Sequence, residues 1–320
     1  MQQTPGYGED TYCAHARDLI RQACAMPHAD VHFLVGGTQT NATVISAILR
    51  PYQGVVCAET GHINVHETGA IEHGGHKVLA LPAAQGKITA AQIADAVDGH
   101  RADGNHEHMV QPGLVYLSFP TELGTLYTRA ELEDISAVCR TRGVPLFVDG
   151  ARLGYGLTSS ACDITLPELA RLADVFYIGG TKQGALFGEA VVVTDPTLTP
   201  CFRYHIKQGG GMLAKGRLLG IQFATLFEDA LYFDIAAHAN RMADTLRQAF
   251  AGHGIPFLVD SPTNQLFPIL TDAQYATLDR EFVGDYWGRV DDSHVCVRFC
   301  TSWATTQENV SRLMSALDTL

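Results

Sequence analysis

Two ionisable residues stand at the ends of two apolar runs, 33 positions apart. The first run, Pro145-Leu146-Phe147-Val148, ends in Asp149-Gly150-Ala151-Arg152. The second, Ala173-Asp174-Val175-Phe176-Tyr177-Ile178, ends in Gly179-Gly180-Thr181-Lys182. Runs this apolar read as strands buried on both faces of a parallel sheet. The carboxyl ends of such strands are where α/β proteins place their ligands. Asp149 and Lys182 are therefore expected in one crevice. A lysine that can lose its proton forms Schiff bases. A carboxylate opposite it suits pyridoxal phosphate, because it keeps the pyridine nitrogen protonated and makes the ring an electron sink. The plainer account is an Asp that forms a turn or cap and a solvated loop Lys. Against it stands the joint pattern: both strands end in glycine, and both charges occupy the same kind of position.

Other constellations widen the picture. Gly36-Gly37-Thr38-Gln39-Thr40-Asn41 lies between an apolar run and a helical pattern. Glycines let backbone approach an anion, and free N–H groups at a helix start attract phosphate. Gly37 and Thr38 are the candidate contacts, and a simple glycine turn with a Thr cap is the bland alternative. The dinucleotide and Walker glycine fingerprints are both absent. His62, His66, His73 and His76 cluster with Glu59, Glu67 and Glu72. His62 and His66 could share a helix face and bind a metal. No HExxH is present, however, and Gly61, Gly69, Gly74 and Gly75 interrupt any long helix, so no metal is expected. His62 is better explained as a flat ring packed on a flat cofactor. Gln208-Gly209-Gly210-Gly211-Met212, flanked by Lys207 and Lys215, reads as a hinge or as a close approach to a phosphate or another subunit. Arg298 stands in the apolar strand Val295-Cys296-Val297-Arg298-Phe299-Cys300. A buried Arg needs a carboxylate, and this one is either internal or the substrate's.

These residues need a frame. The 320 residues allow one large domain, or one large and one small. Strands are predicted at 31–35, 54–58, 77–81, 114–119 and 189–194, besides the two opening runs. Helices are predicted at 11–26, 38–49, 64–72, 90–97 and 129–140, with 99–111 as a surface loop. The stretch 213–250 reads as mostly helical, with a break near Phe233-Asp234. Beyond it come strand 265–270, helix 272–282, strands 286–290 and 294–299, and helix 306–319. This alternation predicts an α/β fold: a large domain with a mainly parallel sheet over 1–234 and a small α+β domain over 235–320. A net charge of −12 argues against nucleic acid as a partner. No apolar run approaches the roughly 20 residues that span a bilayer. Met1-Gln2-Gln3-Thr4-Pro5-Gly6 has neither the basic nor the apolar part of a secretory leader. Eight scattered cysteines without CxxC pairs read as reduced thiols, so a cytoplasmic location is expected.

Taken in order, Asp149-Gly150-Ala151-Arg152, Thr181-Lys182, Gly36-Gly37-Thr38 with Asn41, His62-Ile63 with Glu67, Gly209-Gly210-Gly211-Met212 and Arg298 resemble the pyridoxal-phosphate threonine aldolases of the aromatic/β-eliminating lyase group. The resemblance covers nearly the whole chain. It implies the fold of aspartate aminotransferase (fold type I), and dimers or tetramers with active sites shared between subunits. By carry-over, Lys182 forms the Schiff base, Asp149 pairs with the pyridine nitrogen, His62 stacks on the ring, and Gly37 and Thr38 hold the phosphate. Arg152 and Arg298 would hold the substrate carboxylate or neighbouring polar groups, and Lys207 would reach the neighbouring subunit's phosphate. The implied reaction cleaves a β-hydroxy-α-amino acid, such as threonine or allo-threonine, to glycine and an aldehyde. β-Elimination, a cofactor-binding homologue without catalysis and a metal-dependent hydrolase are the rival readings.

Two departures stand out. Family members carry small polar residues ahead of the Gly6-Tyr7-Gly8-Glu9-Asp10 region, so this chain reads as a shortened form. Many members also have an Asn-Thr-His segment where this chain has Phe119-Pro120-Thr121-Glu122-Leu123-Gly124. The missing His falls near Thr121 or Glu122, which leaves the general base open among His62, Glu122 and a water.

Overall fold

The structure is a computed structural model that describes residues 3–320. Met1 and Gln2, the first two residues of the stretch read for a leader, lie outside the described residues. Seven strands make the main sheet: β1 (Asp30–Leu34), β2 (Gln53–Ala58), β3 (Val78–Leu81), β4 (Gln111–Ser118), β5 (Leu146–Asp149), β6 (Val175–Gly179) and β7 (Glu189–Val193). Their order is β1-β7-β6-β5-β4-β2-β3. The five from β3 to β6 along that order are parallel, and β7 runs antiparallel to both its neighbours. Every residue of β5, β6 and β7 is buried. Helices on both faces explain that, and they explain why these strands are apolar throughout rather than alternating.

One face is packed by α1 (Thr11–Ala23), α5 (Ala90–Ala102), α6 (Arg129–Arg142), α8 (Leu166–Leu172) and α10 (Arg217–Phe227), whose Ile20, Ile93, Leu132, Leu169 and Phe223 share a core with Val148 and Phe176. The other is packed by α2 (Gly37–Ile48), α3 (His62–Val65), α4 (Ala70–His73) and α9 (Phe202–Gln208), whose Val44, Ile63, Ile71 and Ile206 meet Phe147 and Tyr177. The short α7 (Leu153–Leu157) follows β5 directly. Local chemistry sets the helix ends. Thr128 and Glu131 form a capping box at the start of α6, and Gly143, at φ 63°, ends it.

The C-terminal part opens with α11 (Leu231–Gly252). It continues through β8 (Gln265–Leu266), β9 (Ile269–Thr271), α12 (Asp272–Leu278), β10 (Asp285–Arg289), β11 (His294–Cys300) and α13 (Gln307–Leu317). β11 pairs antiparallel with β10, β8 and β9. Phe250, Leu266, Val295, Val297 and Leu313 form its separate core.

Four sequence expectations change. The helix at 64–72 is two single turns, because Thr68 and Gly69 take φ 53° and 72° between α3 and α4. The loop at 99–111 contains the last turn of α5 and a 3-10 turn at His106–His108. The strand at 265–270 is split at Phe267-Pro268, since a proline cannot donate to a ladder. The helical break expected at Phe233-Asp234 falls at Asp229 and Ala230, whose left-handed backbone (φ 51° and 59°) separates α10 from α11. Helix α11 then runs unbroken through position 234.

Candidate active site

The site is built at the carboxyl ends of β4, β5 and β6. Ser118 of β4 lies in register with Asp149 of β5, so Tyr116, two residues earlier, shares its face. Tyr116 Oη donates to Asp149 Oδ2 at 2.6 Å, and Tyr177 Oη of β6 donates to Oδ1 at 2.5 Å. Asn41 Nδ2 from α2 donates to Oδ2 at 3.0 Å, and the Ala151 N–H donates to Oδ1 at 2.9 Å. Burial first, and then the charge of Asp149, hold both phenols protonated well above their usual range, so they remain donors. Gly150 makes the turn possible: a Cβ there would stand 1.9 Å from the Tyr177 carbonyl oxygen.

The Asn41 amide also donates to Glu67 Oε1 at 2.7 Å, and the same oxygen meets His62 Nδ1 at 2.8 Å. Glu67 is closed off from solvent while the His62 ring keeps one open side. A buried carboxylate thus fixes the ring of His62, and Asn41 ties that ring to Asp149. Glu122, also buried, accepts from the His62 backbone N–H at 2.8 Å and from Ser118 Oγ at 2.5 Å.

Lys182 follows β6 into the same cavity, which is lined also by Asp149, His62, Arg152, Gly37 and Glu122. Among the described residues no hydrogen bond or ion pair engages the Lys182 amine or the Arg152 guanidinium. Burial, and next the Arg152 charge, push the lysine down to about 8, against the pull of Asp149 and Glu189. Glu189, buried at the start of β7, accepts the Gly180 N–H at 3.0 Å, and burial pushes its carboxyl up to about 7.

The sequence-predicted residues therefore divide. Lys182, Asp149, His62, Arg152 and Gly37 come together. Thr38 is exposed, next to Gly37 at the start of α2, and lines a neighbouring groove instead. The N-terminus of α2 has no side-chain cap, so its first N–H groups are open to an anion. Lys207 lies away from this cavity, 4.9 Å over the Tyr7 ring. Arg298 is already paired: its Nε and Nη2 reach Asp285 Oδ2 at 3.1 and 2.7 Å, and it lies 5.1 Å over the Trp287 ring. The internal salt bridge is thus the arrangement seen. Among the described residues no group of three His, Cys, Asp or Glu side chains is gathered to hold a metal. His76 turns to the Gln53 carbonyl, and His73 is exposed on α4. Sequence reasoning missed Tyr116, Tyr177, Ser118 and Glu189. A polar residue inside an otherwise apolar, fully buried strand was the available signal for the tyrosines and Glu189.

An uncommitted buried amine facing a rigidly held carboxylate fits pyridoxal phosphate. The comparisons agree. A family model for beta-eliminating lyases matches residues 1–273. The chain belongs to the beta-eliminating lyase family. A low-specificity L-threonine aldolase of Pseudomonas aeruginosa is 32% identical, over 96% of this chain and 87% of that protein. The structure of a Leishmania major threonine aldolase is 47% identical with a TM-score of 0.96, covering 100% of this chain and 92% of the other. A serine palmitoyltransferase of Sphingomonas wittichii shares the fold alone, at 16% identity and a TM-score of 0.71 over 98% of this chain and 79% of its own. In this family the fold is that of the type I pyridoxal-phosphate enzymes, and the chain is a lyase that uses this cofactor.

Proposed function

We propose that this lyase cleaves a β-hydroxy-α-amino acid of the threonine or allo-threonine type to glycine and an aldehyde. One observation carries the reading: Lys182, pushed down to about 8 and without a partner, faces Asp149, whose two oxygens are held by four donors. The Leishmania and Pseudomonas relatives support the substrate class. When bound, pyridoxal phosphate supplies the electron sink that accepts the electrons of the broken Cα–Cβ bond. Lys182 would hold its aldehyde carbon and Asp149 its ring nitrogen. His62, fixed by Glu67, would cover the ring face, and Gly37 with Thr38 would meet the phosphate at the open start of α2. Arg152, the unpaired guanidinium of the cavity, would take the substrate carboxylate or a ring oxygen. Arg298 would join it by exchanging Asp285 for the substrate carboxylate, which turns Cα–Cβ perpendicular to the ring.

Shared active sites in a homodimer or homotetramer are supported by an exposed hollow beside Lys207, lined by Tyr7, Arg203, Tyr204 and Met212. A division at 234/235 is supported by the separate cores, even though α11 bridges them. No described helix is long and apolar enough to cross a membrane, and the free cysteines support the cytoplasm as compartment.

The test is to supply L-threonine and assay the products. Glycine and acetaldehyde in equal amounts are expected, with borohydride trapping the cofactor on the peptide that holds Lys182. A keto acid with ammonia would indicate β-elimination instead, and trapping on Lys207 or Lys215 would overturn the site.

A further inference from the structure

The proposed cleavage requires a carrier for one proton, and this inference rests on that reading. As Cα–Cβ breaks, the β-hydroxyl must lose its proton so that C–O becomes C=O. Besides Lys182, the amine that would hold the cofactor, few groups in the cavity are free to take it. Asp149 already accepts four hydrogen bonds. Tyr116 and Tyr177 are donors to it, and His62, its Nδ1 committed to Glu67, is the ring that would lie flat on the cofactor, with its ring nitrogens in the plane of the stack rather than toward the substrate. Glu122 differs from all of these. The bonds it receives from other residues, the His62 N–H and Ser118 Oγ, both end on Oε1, and its own backbone N–H also bonds the carboxyl group. They fix the carboxyl group, and among the described residues no other residue bonds Oε2; Glu122 is 8% exposed and lines the cavity with Lys182.

We propose that Glu122 is the catalytic base that removes the β-hydroxyl proton and returns it in the reverse reaction. The O–H bond breaks, and its proton bonds to Glu122 Oε2. The freed pair forms the aldehyde C=O, and the Cα–Cβ pair stays with the glycine fragment. A proton is then added at Cα, and Glu122 gives up its own, so glycine and aldehyde leave with no net proton gained or lost. Burial raises the Glu122 carboxyl, and the nearby Asp149 adds to the effect. A base with a raised pKa is better matched to a neutral working pH. The titratable and charged groups around it are His62 and Cys57 from the β2–α3 side, Tyr116 of β4, Asp149 of β5 with Arg152 after it, Tyr177 of β6 with Lys182 after it, and Tyr127.

Glu122→Gln keeps an oxygen for both anchoring bonds and removes the base. Three properties of the cofactor-loaded protein separate the outcomes: cofactor affinity with its absorption spectrum, exchange of the glycine α-proton with deuterium, and threonine cleavage against pH. Affinity, spectrum and glycine exchange should match the wild type, because none of them needs a β-hydroxyl. Cleavage turnover should fall at least about a hundredfold, the lower end for a lost general base. The acid limb of its pH profile, set by protonation of Glu122, should disappear, and Glu122→Asp should restore part of the turnover. Unchanged cleavage, or an equal fall in cleavage and glycine exchange, overturns the assignment. A wild type that exchanges glycine but releases no aldehyde overturns the aldolase reading itself, and the base with it.

Discussion

Asp149 and Arg298 are charged groups held in opposite ways. Asp149 is buried and receives donors from β4, β6, α2 and its own turn. Arg298 is held by one carboxylate, Asp285, directly across the β10–β11 pair, and Asp285 is 59% exposed. Removing one donor leaves Asp149 three others. An exposed pair like that of Arg298 is worth about 0.2–1 kcal/mol, and a competing carboxylate can displace it. The difference matches what each would do. A group that holds a resident cofactor has to stay still, whereas a group that meets a substrate has to release it every turnover.

The largest effect is expected at Lys182, which lines the cavity with Asp149. Lys182→Ala should abolish cofactor attachment and turnover, read by loss of borohydride trapping in the digested protein. Trapping that persists elsewhere would move the site. Next, Asp149→Ala should lower turnover by a hundredfold or more, about the scale of one preorganised electrostatic partner. Cofactor affinity should fall less, since the lysine and phosphate contacts remain. A cofactor-loaded variant with normal turnover would show that the rigid cradle serves only the fold.

On the other side, Arg298→Lys should raise the Michaelis constant, because a point charge does not replace the guanidinium fork. Asp285→Asn should do the reverse, lowering that constant with turnover unchanged, since the substrate no longer competes for Arg298. If the ester of the substrate is cleaved as well as the free acid, Arg298 is structural and the exchange idea fails.

The smallest effects are in pH. Only a neutral amine captures the cofactor, so the capture rate of the cofactor-free protein should rise through about 8 and then level off. A rise that continues toward 10.5 would show Lys182 to be hydrated. Glu189 has the opposite sign. Its folded carboxyl, at about 7, binds protons that the unfolded chain releases from 4.5 upward, so stability should fall as pH rises across that window. Urea midpoints on either side of the window should differ for the wild type and converge for Glu189→Gln.

Much of this was legible in the residues. The runs ending at Asp149 and Lys182 had to be buried parallel strands, because no alternation marked a wet face. Adjacent strands with that ending place both charges at one sheet edge. The glycines of 36–37 implied the open helix start, and Glu67 follows His62 closely enough in the sequence to meet it. The cradle was less legible. Tyr116 and Tyr177 look like ordinary β-formers until the register of β4, β5 and β6 turns both hydroxyls onto one carboxylate.

The sequence by itself determined the α/β class, the pair of charges at the sheet edge and, through its motifs, the resemblance to the family, because these depend on local apolar patterning and on residues fixed to strand ends. Only the tertiary structure decided which charges are spoken for. It engaged Arg298 with Asp285, left Arg152 and Lys182 unpaired, set Lys207 over Tyr7, and closed Glu122 into the cavity beside His62. Such pairings join residues distant in sequence and depend on side-chain positions to within a few ångströms, and strand register and packing alone set those.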